Sequence, residues 1–497
     1  MTLQMIQTPP RNLPGVTARL DHQRAPILEA LRAQRTSGMT PFTTPGHKLG
    51  VGADPELIEL LGRDLFANDI WLNTGQFGQI LREAEALAAD AWGAERTHFL
   101  VNGSSSGNMA ALLALVRPGD EVIVGRDMHR SMLAALIVAG ARPVYVAPRL
   151  DPHLGVSLGL ASEDIAAALD AHPNARLVAL VSPSYYGIAV DLPAIVREAH
   201  ARDVPVYVDE AWGPHFAFHP QLPESAMQAG ADLAVTSAHK LLGCLSQGSM
   251  LHVQGPRVDR RRLGSTVAMT QSTSPLLPIL ASLDSSRRQM ALDGTTLIER
   301  TISLANQARR RLNALPGTRV LDTRMHGYPT TDMTRLVVDV SDSGLTGYAA
   351  EQMLRADGIA PEMSDLHSIV CLITIGDRQA SIDRLVAGIA ELAFAHQGHS
   401  CLKRSDGRAL GSVVCAGQVA LSPAEAFHAP TRSATLTDAI GQVCAEMVVP
   451  YPPGIPVFLP GEVVTSEKVA YLEDGQAHGM TLSGASDPTL VTIQVVA

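Results

Sequence analysis

The chain of 497 residues contains no uninterrupted apolar run of about 18 residues, the length that a membrane-spanning helix requires. It also has no surplus of positive charge, because the formal net charge is −10 and no basic run offsets it. We therefore expect neither a membrane span nor a nucleic-acid partner. The N-terminal stretch Met1 to Pro14 is polar with scattered prolines, and it lacks the apolar centre of a signal peptide.

Paired cysteines are missing as well. The five cysteines are widely separated, and none belongs to a Cys-x-x-Cys pair: Cys244, Cys371, Cys401, Cys415 and Cys444. This spacing argues against a disulfide framework and against a metal site, and it favours reduced thiols in a cytoplasmic protein. With 46% apolar and 18% charged residues, the composition is that of a globular chain long enough for two or three domains.

Strand and helix patterns alternate from about residue 95 to residue 240. The short apolar runs are Thr97–Val101, Glu121–Val124, Pro143–Val146, Leu177–Val181, Pro205–Val208 and Leu233–Val235. Strands that alternate with helices predict a mostly parallel sheet covered on both faces, with ligands bound beyond the carboxyl ends of the strands. The polar residues expected at that edge are Gly103–Ser105, Asp127–His129, Ser182–Tyr186, Asp209 and Ser237–Lys240.

The rest of the chain suggests further domains. A helix-rich stretch over about 285–315 leads into a second α/β region, whose apolar runs are Leu336–Val340 and Ile369–Ile375. A break of small and charged residues at 397–411 precedes a third, turn-rich segment. We expect an N-terminal arm over 1–45, a large domain over 46–300, a small α/β domain over 301–400 and a C-terminal domain over 401–497.

The tetrad Ser237-Ala238-His239-Lys240 directly follows an apolar run. A lysine at the end of a strand, flanked by hydroxyl and imidazole groups, suits pyridoxal phosphate (PLP). The amine can form a Schiff base with the cofactor aldehyde, and the hydroxyls can reach its phosphate. A lone string of this kind would more often be an exposed loop. Here the other parts of a PLP site precede it in order.

Three upstream features complete the predicted site. The Asn102–Gly107 turn joins a strand to a helix, where small residues and free N–H groups suit a phosphate, although a plain helix cap has the same pattern. Asp209 ends a buried run and needs a partner, which the pyridine nitrogen of PLP would supply; an Asp that caps the next helix is the alternative. His129 could stack on the cofactor ring, although a lone histidine is more often a surface or capping residue.

At these residues the chain resembles the bacterial ornithine/lysine/arginine decarboxylases, which are fold-type I PLP enzymes. The matching strings extend from about residue 40 to the end: Thr44–Lys48, Asn102–Ser105, Asp127–Ser131, Asp209–Pro214, Ser237–Leu242, Ser272–Pro275, Ser422–Ala426 and Tyr451–Pro456. The resemblance implies an α/β large domain like that of aspartate aminotransferase, with a mostly parallel sheet, plus smaller α/β and C-terminal domains. The chain resembles the short branch, which lacks the N-terminal receiver-like domain of longer members.

The resemblance also implies residue roles. Lys240 would carry the Schiff base, Asp209 would pair with the pyridine nitrogen, and His129 would stack on the ring. The residues implied to border PLP or hold its phosphate are Trp212, Ser104, Ser105, Ser237 and His239. Thr273 and Ser274 would reach the phosphate bound by the neighbouring subunit, which implies a homodimer or larger homo-oligomer with shared active sites.

The implied reaction is decarboxylation of a basic L-amino acid: arginine, lysine or ornithine. Lys240 or His239 would return a proton to Cα, and a carboxylate would bind the substrate's distal cation. The candidates for that carboxylate are Glu362, Asp332 and Asp69, each of which could equally be a solvated loop acid. A PLP-dependent aminotransferase or oxidase with the same lysine and aspartate stays open, as does a non-catalytic regulatory subunit.

The chain departs from the family pattern at three places. Leu276-Leu277 stands where the family usually has a small or polar residue and then an aromatic. Ala424 replaces an arginine, and Trp212 replaces the histidine that short members more often have. These departures leave the choice of substrate open.

Overall fold

The computed structural model describes residues 20–66, 75–151, 156–321, 330–396, 417–450 and 455–497. The strands of its largest sheet are β1 (Arg96–Leu100), β2 (Glu121–Gly125), β3 (Arg142–Val146), β6 (Leu177–Val181), β7 (Val206–Asp209), β8 (Leu233–Thr236) and β9 (Ser249–Val253). They lie in the order β1-β9-β8-β7-β6-β2-β3. Strand β9 runs antiparallel to both of its neighbours, β1 and β8, and the other described strand pairs of this sheet are parallel. A separate short hairpin pairs β4 (Arg149–Leu150) with β5 (Ser157–Gly159).

Both faces of this sheet are covered by helices. They are α3 (Gly75–Trp92), α4 (Gly103–Leu115), α5 (Arg130–Ala139), α6 (Ser162–Ala171), α7 (Leu192–His200), α8 (Ala238–Leu241) and α9 (Arg260–Thr270). Side chains on β2 alternate between the two faces: Val122 and Val124 belong to the core under α4 and α5, whereas Ile123 belongs to the core under α6 and α7. Burial on both faces explains why these strands read as continuous apolar runs.

A long helix, α10 (Leu277–Leu312), connects the large sheet to a smaller one. Helix α1 (Pro26–Thr36) packs on α10, and the backbone N–H of Ile27 donates to Asp284 at 2.9 Å. The region between α1 and α3 holds α2 (Pro55–Leu61) and a 3₁₀ turn at Arg63–Leu65. Because α10 passes through position 300, one helix spans the predicted boundary there, and the domain limits stay predictions.

The small domain has an antiparallel sheet in the order β10-β11-β13-β12. Its elements are β10 (Arg319–Val320), β11 (Arg335–Asp339), α11 (Gly347–Ala356), β12 (Met363–Ser364), β13 (Ser368–Leu372) and α12 (Gln379–Ala395). Its core packs α10, α11 and α12 on the sheet through residues such as Leu312, Leu336 and Ile389. This domain places Arg335 and Glu362 near the end of the large sheet.

The C-terminal region has its own core around Phe458. Its elements are α13 (Pro423–His428), β14 (Thr431–Thr435), α14 (Leu436–Ala439), β15 (Val449–Pro450), α15 (Ser466–Ala477), β16 (Leu482–Ser483) and β17 (Thr492–Val496). A buried ion pair fixes it to the large domain, because Arg126 Nε donates to Glu462 at 2.9 Å and Lys468 Nζ donates to the same carboxylate at 2.8 Å.

The predicted strands of the large sheet are confirmed within one residue at each end. Strand β9 was not predicted, because Ser249 and His252 interrupt its apolar character. Both side chains are buried inside the sheet, where His252 shares hydrogen bonds with Thr97 at 2.8 Å and Thr236 at 3.1 Å. Among the described residues, no helix combines the length and the apolar character needed to cross a bilayer.

Candidate active site

A cavity of about 450 Å³ lies at the carboxyl edge of the large sheet. The residues predicted from the sequence that line it are Ser104, Ser105, His129, Asp209, Trp212, Ser237, His239 and Lys240. They come from segments far apart in the chain, which the parallel strands bring to one edge. Its volume falls within the range of about 300–1,000 Å³ typical of small-molecule sites.

One end of the cavity brings together groups that suit an anion. Helix α4 begins there at Gly103, whose φ of 72° favours glycine, and its first N–H groups carry the positive end of the helix dipole. Ser104 Oγ lies 2.6 Å from Ser237 Oγ and 3.2 Å from Ser249 Oγ. Gly107 lets helix α4 pack close to strand β8, because a Cβ at this position would lie 2.5 Å from the Val235 side chain.

Lys240 lies over an aromatic wall of the cavity. Its Nζ is 3.9 Å from the ring centroid of Trp212 and 5.8 Å from that of Tyr185. Burial lowers the pKa of Lys240 to about 8; the charge of Arg335 also lowers it, whereas Asp209 and Glu362 raise it. Because a lysine attacks an aldehyde only as the neutral amine, this lowered pKa suits a Schiff-base nucleophile.

Asp209 ends β7 with its side chain buried. One carboxylate oxygen accepts from Asn108 Nδ2 at 2.9 Å, and the other accepts from the backbone N–H of Ala211 at 3.2 Å. The protein therefore orients both oxygens.

Two histidines stand at different walls. His129 Nδ1 lies 2.8 Å from Ser131 Oγ, and burial lowers the pKa of His129. His239 Nδ1 lies 2.9 Å from the carbonyl oxygen of Gly248, so this nitrogen is the protonated one and donates. Burial lowers the pKa of His239 too.

Arg335, which no pattern in the sequence indicated, lies beside the wall of the cavity. Its guanidinium carbon lies 4.5 Å from the ring centroid of Trp212, and its side chain is buried. Nη1 donates to the carbonyl of Tyr185 at 3.1 Å, whereas Nε and Nη2 have no hydrogen-bond partner among the described residues. Arg335 begins a strand of the second domain, and no local signal in the sequence associates it with Lys240. Only the docking of the two domains brings them together.

The three candidate acids for the substrate cation fall in different places. Glu362 is exposed; partial burial of its carboxyl raises its pKa, against the lowering effect of the charges on Arg335 and Lys240. Asp332 is buried under Arg335 and accepts from Thr334 Oγ1 at 2.6 Å. Burial alone would raise the pKa of Asp332, but His215, Arg335 and Thr334 together lower it to about 2. Asp69 lies outside the described residues.

Thr273 and Ser274 are exposed and do not line this cavity. They lie between α9 and α10, in a segment where Leu276 is also exposed and Leu277 is buried. Their predicted contact with a neighbouring subunit stays a prediction.

The polar groups of the cavity fit PLP. The serine hydroxyls and the N-terminus of α4 can hold a phosphate, and the oriented carboxylate of Asp209 can pair with a protonated ring nitrogen. Lys240 stands between these two groups along the edge of the sheet. The donor set therefore matches the phosphate, the ring nitrogen and the aldehyde of that cofactor.

The sheet order and this constellation at its carboxyl edge define a protein of the fold-type I α/β class. The chain matches the family model described as "Orn/Lys/Arg decarboxylase, major domain" over residues 25–329 and the "C-terminal domain" model of the same family over 412–486. The chain belongs to the Orn/Lys/Arg decarboxylase family, whose members are PLP-dependent.

Named relatives support this placement. The chain is 39% identical over 484 residues to the arginine decarboxylase of Halalkalibacterium halodurans, covering 95% of this chain and 98% of that protein. It is 38% identical to the arginine decarboxylase of Bacillus subtilis, covering 96% of this chain and 99% of that protein. The solved lysine decarboxylase of Francisella novicida has the same fold, with a TM-score of 0.80 at 23% identity over 95% of this chain and 81% of that chain.

Proposed function

We propose that the protein is a PLP-dependent decarboxylase of a basic L-amino acid, with arginine as the first candidate. The observation that carries the proposal is the position of Lys240 over Trp212 in the same cavity as the oriented Asp209 carboxylate. The relatives named arginine decarboxylase, which match nearly the whole chain, support arginine.

The residues of the cavity divide the work. PLP, when bound, supplies a conjugated ring that accepts the electron pair of the broken Cα–carboxylate bond. Lys240 would hold the cofactor covalently, and Asp209 would keep its ring nitrogen protonated. His129 and Trp212 would enclose the ring. Hydroxyl and imidazole groups at the other end would hold or border its phosphate: Ser104, Ser105, Ser237 and His239.

Arg335 would bind the carboxylate of the incoming substrate. Two nitrogens of this buried guanidinium make no hydrogen bond to the part of the chain that the structure describes, which is costly unless an anion completes the coordination. Asp332 Oδ2, at 4.0 Å from Nη2, is outside hydrogen-bond distance, and Asp332 Oδ1 accepts from Thr334. The carboxylate of Asp332 therefore balances the charge of the arginine without saturating its donors.

The distal cation of the substrate would meet Glu362, which lies near enough to Lys240 for their charges to interact. After carbon dioxide leaves, Cα needs a proton. Lys240 is the first donor to consider, because its pKa of about 8 lets it carry and release a proton near neutral pH. The His239 imidazole is the second.

We also propose a cytoplasmic homodimer with shared active sites. The exposed Thr273–Ser274 segment of one subunit would reach the phosphate held by the other, as the family resemblance implies. Sedimentation would measure the assembly. Mixing inactive Lys240→Ala and Thr273→Ala/Ser274→Ala chains should restore part of the activity, and no recovery after verified subunit exchange would contradict shared sites.

The function is tested by offering arginine, lysine and ornithine together with PLP and analysing the products by mass spectrometry. We expect carbon dioxide and the amine of one basic amino acid, and no turnover by Lys240→Ala. Ammonia, peroxide or a keto acid in place of carbon dioxide would identify an aminotransferase or oxidase and overturn the proposal.

Glu362→Gln tests the substrate class in the same assay, because it removes the charge with little change of shape. We expect kcat/KM to fall about 10- to 100-fold for the basic substrate, as for loss of a charged hydrogen bond. A much smaller fall is expected for an uncharged analogue. Equal losses for both would show that Glu362 does not contact the cation.

A further inference from the structure

A buried amide connects two walls of the cavity. Asn108, in the second turn of α4, has no exposed surface, and its Nδ2 donates to Asp209 Oδ2 at 2.9 Å and to Ser131 Oγ at 2.7 Å. Its Oδ1 accepts from the hydroxyl of Tyr207 at 2.5 Å. One side chain therefore contacts the carboxylate at the end of β7, the start of α5 and the interior of the sheet.

The direction of each hydrogen bond in this network is determined. An ionised Asp209 only accepts, so the amide nitrogen of Asn108 must face it, and the amide oxygen must face Tyr207. Burial raises the pKa of Tyr207 well above its usual value, so its hydroxyl keeps the proton that it donates. Both protons of Nδ2 are then used, and Ser131 Oγ accepts one of them.

The same reasoning extends to His129. Because Ser131 Oγ accepts from Asn108, its own proton is free for His129 Nδ1, 2.8 Å away. The backbone N–H of Ser131 also donates to that nitrogen, at 3.2 Å. The two donors therefore share the single lone pair of His129 Nδ1, and the proton of the neutral ring is on Nε2. The charged groups that act on this ring are Asp209, Lys240 and Arg130.

We propose that Asn108 is a positioning residue that orients two side chains of the cofactor site, Asp209 and His129. Its amide orients Asp209 for the pyridine nitrogen, and through Ser131 it fixes the orientation and the Nε2–H tautomer of His129. The proposal rests on the proposed binding of PLP between these groups. Ser104 and Asn108 are four residues apart on one face of α4, so the helix that holds the phosphate also fixes the ring.

Asn108→Leu removes all three hydrogen bonds and keeps the branched shape of the side chain. Thr266→Val is the matched control, because it removes a buried hydrogen bond to the same helix, to the carbonyl of Ala110 at 2.9 Å, without touching the network. Ser131→Ala breaks the relay to His129, and Ser131→Thr keeps its hydroxyl. The measurements are the Kd for PLP, the visible absorbance of bound PLP, kcat and KM separately, and the Tm of the apoprotein.

We expect Asn108→Leu to raise the Kd for PLP and lower kcat by about tenfold or more each, with KM changed less than about threefold, as for loss of a hydrogen bond to a charged group. The control should lower Tm by less, because it loses fewer hydrogen bonds, and it should leave Kd, absorbance and kcat within about twofold. Ser131→Ala should change the absorbance and lower kcat, and Ser131→Thr should restore both.

An Asn108→Leu variant that folds and matches the control would overturn the inference. If that variant does not fold, the serine pair decides, and equal behaviour of Ser131→Ala and Ser131→Thr would overturn the relay. A wild-type chain that binds no PLP would overturn the proposed function and this inference with it. A wild-type chain that binds PLP, beside variants that match the control, would overturn this inference alone.

Discussion

Two buried arginines, Arg126 and Arg335, have the same chemistry and opposite degrees of satisfaction. Arg126 Nε and Nη2 each donate to Glu462 at 2.9 Å, and its Nη1 and Nη2 also donate to the carbonyls of Pro456 and Val457. Among the described residues, the guanidinium of Arg335 makes one hydrogen bond, to a carbonyl, and two of its nitrogens have no partner. Both side chains are essentially unexposed.

The difference separates an arginine whose donors are used within the chain from one that, under the proposed function, would bind the substrate. A guanidinium has five donors, and a buried one that uses them within the chain gains nothing from a ligand. Arg126 thus fixes the C-terminal region, whose Ile455 lines the cavity, to the loop that begins the His129 segment. Arg335 lies beside Trp212 and Lys240 with unused donors, so an anionic substrate group would complete its coordination.

Arg126→Met should produce the largest change, a loss of stability of about 3–5 kcal/mol, because it leaves Glu462 buried without its main partner. Urea unfolding of the apoprotein measures this free energy. Lys468, which also contacts Glu462, should limit the loss, so the double variant Arg126→Met/Lys468→Met should be less stable still. A loss under about 1 kcal/mol would contradict the structural role, since surface changes have that size.

Arg335→Met tests the second arginine of this pair and should affect activity more than stability. We expect kcat/KM to fall about 10- to 100-fold, the effect of losing a charged hydrogen bond to substrate. Stability should fall by much less than in Arg126→Met, because the guanidinium makes one hydrogen bond and Asp332 keeps its contacts with His215 and Thr334. Steady-state kinetics and urea unfolding of both variants make the test. An Arg335→Met enzyme that is as unstable as Arg126→Met but fully active would reverse the two roles.

The smallest expected effect is a shift in the pH dependence of the reaction between Lys240 and PLP. The lysine amine must be neutral to react with an aldehyde, so the rate at which the apoprotein captures PLP should rise with pH and level off above about 8. Below that pH the neutral fraction falls about tenfold per unit. Since the charge of Arg335 lowers the pKa of Lys240, Arg335→Met should move this midpoint upward. Arg126→Met should leave it in place, and equal midpoints in all three proteins would contradict the coupling.

Most strands of the large sheet could be predicted from short apolar runs, because strands buried on both faces are apolar along their whole length. Strand β9 could not, since its buried Ser249 and His252 are satisfied by partners on other strands. Asn108 had a usable signal, because it lies one turn beyond Ser104 on the same helix. Arg335 had none, since its neighbours in space belong to another domain.

The alternation of strands and helices and the family could be predicted from the sequence, because both follow from short strings along the chain. The positions of Lys240, Asp209 and the serine-rich turn could be predicted too, because each is a local pattern at the end of a strand. Tertiary structure alone decided which polar groups meet. Whether a buried arginine is saturated, and which way a hydrogen-bond chain runs, depends on atoms from distant segments within about 3 Å of one another. No local pattern in the sequence encodes that proximity.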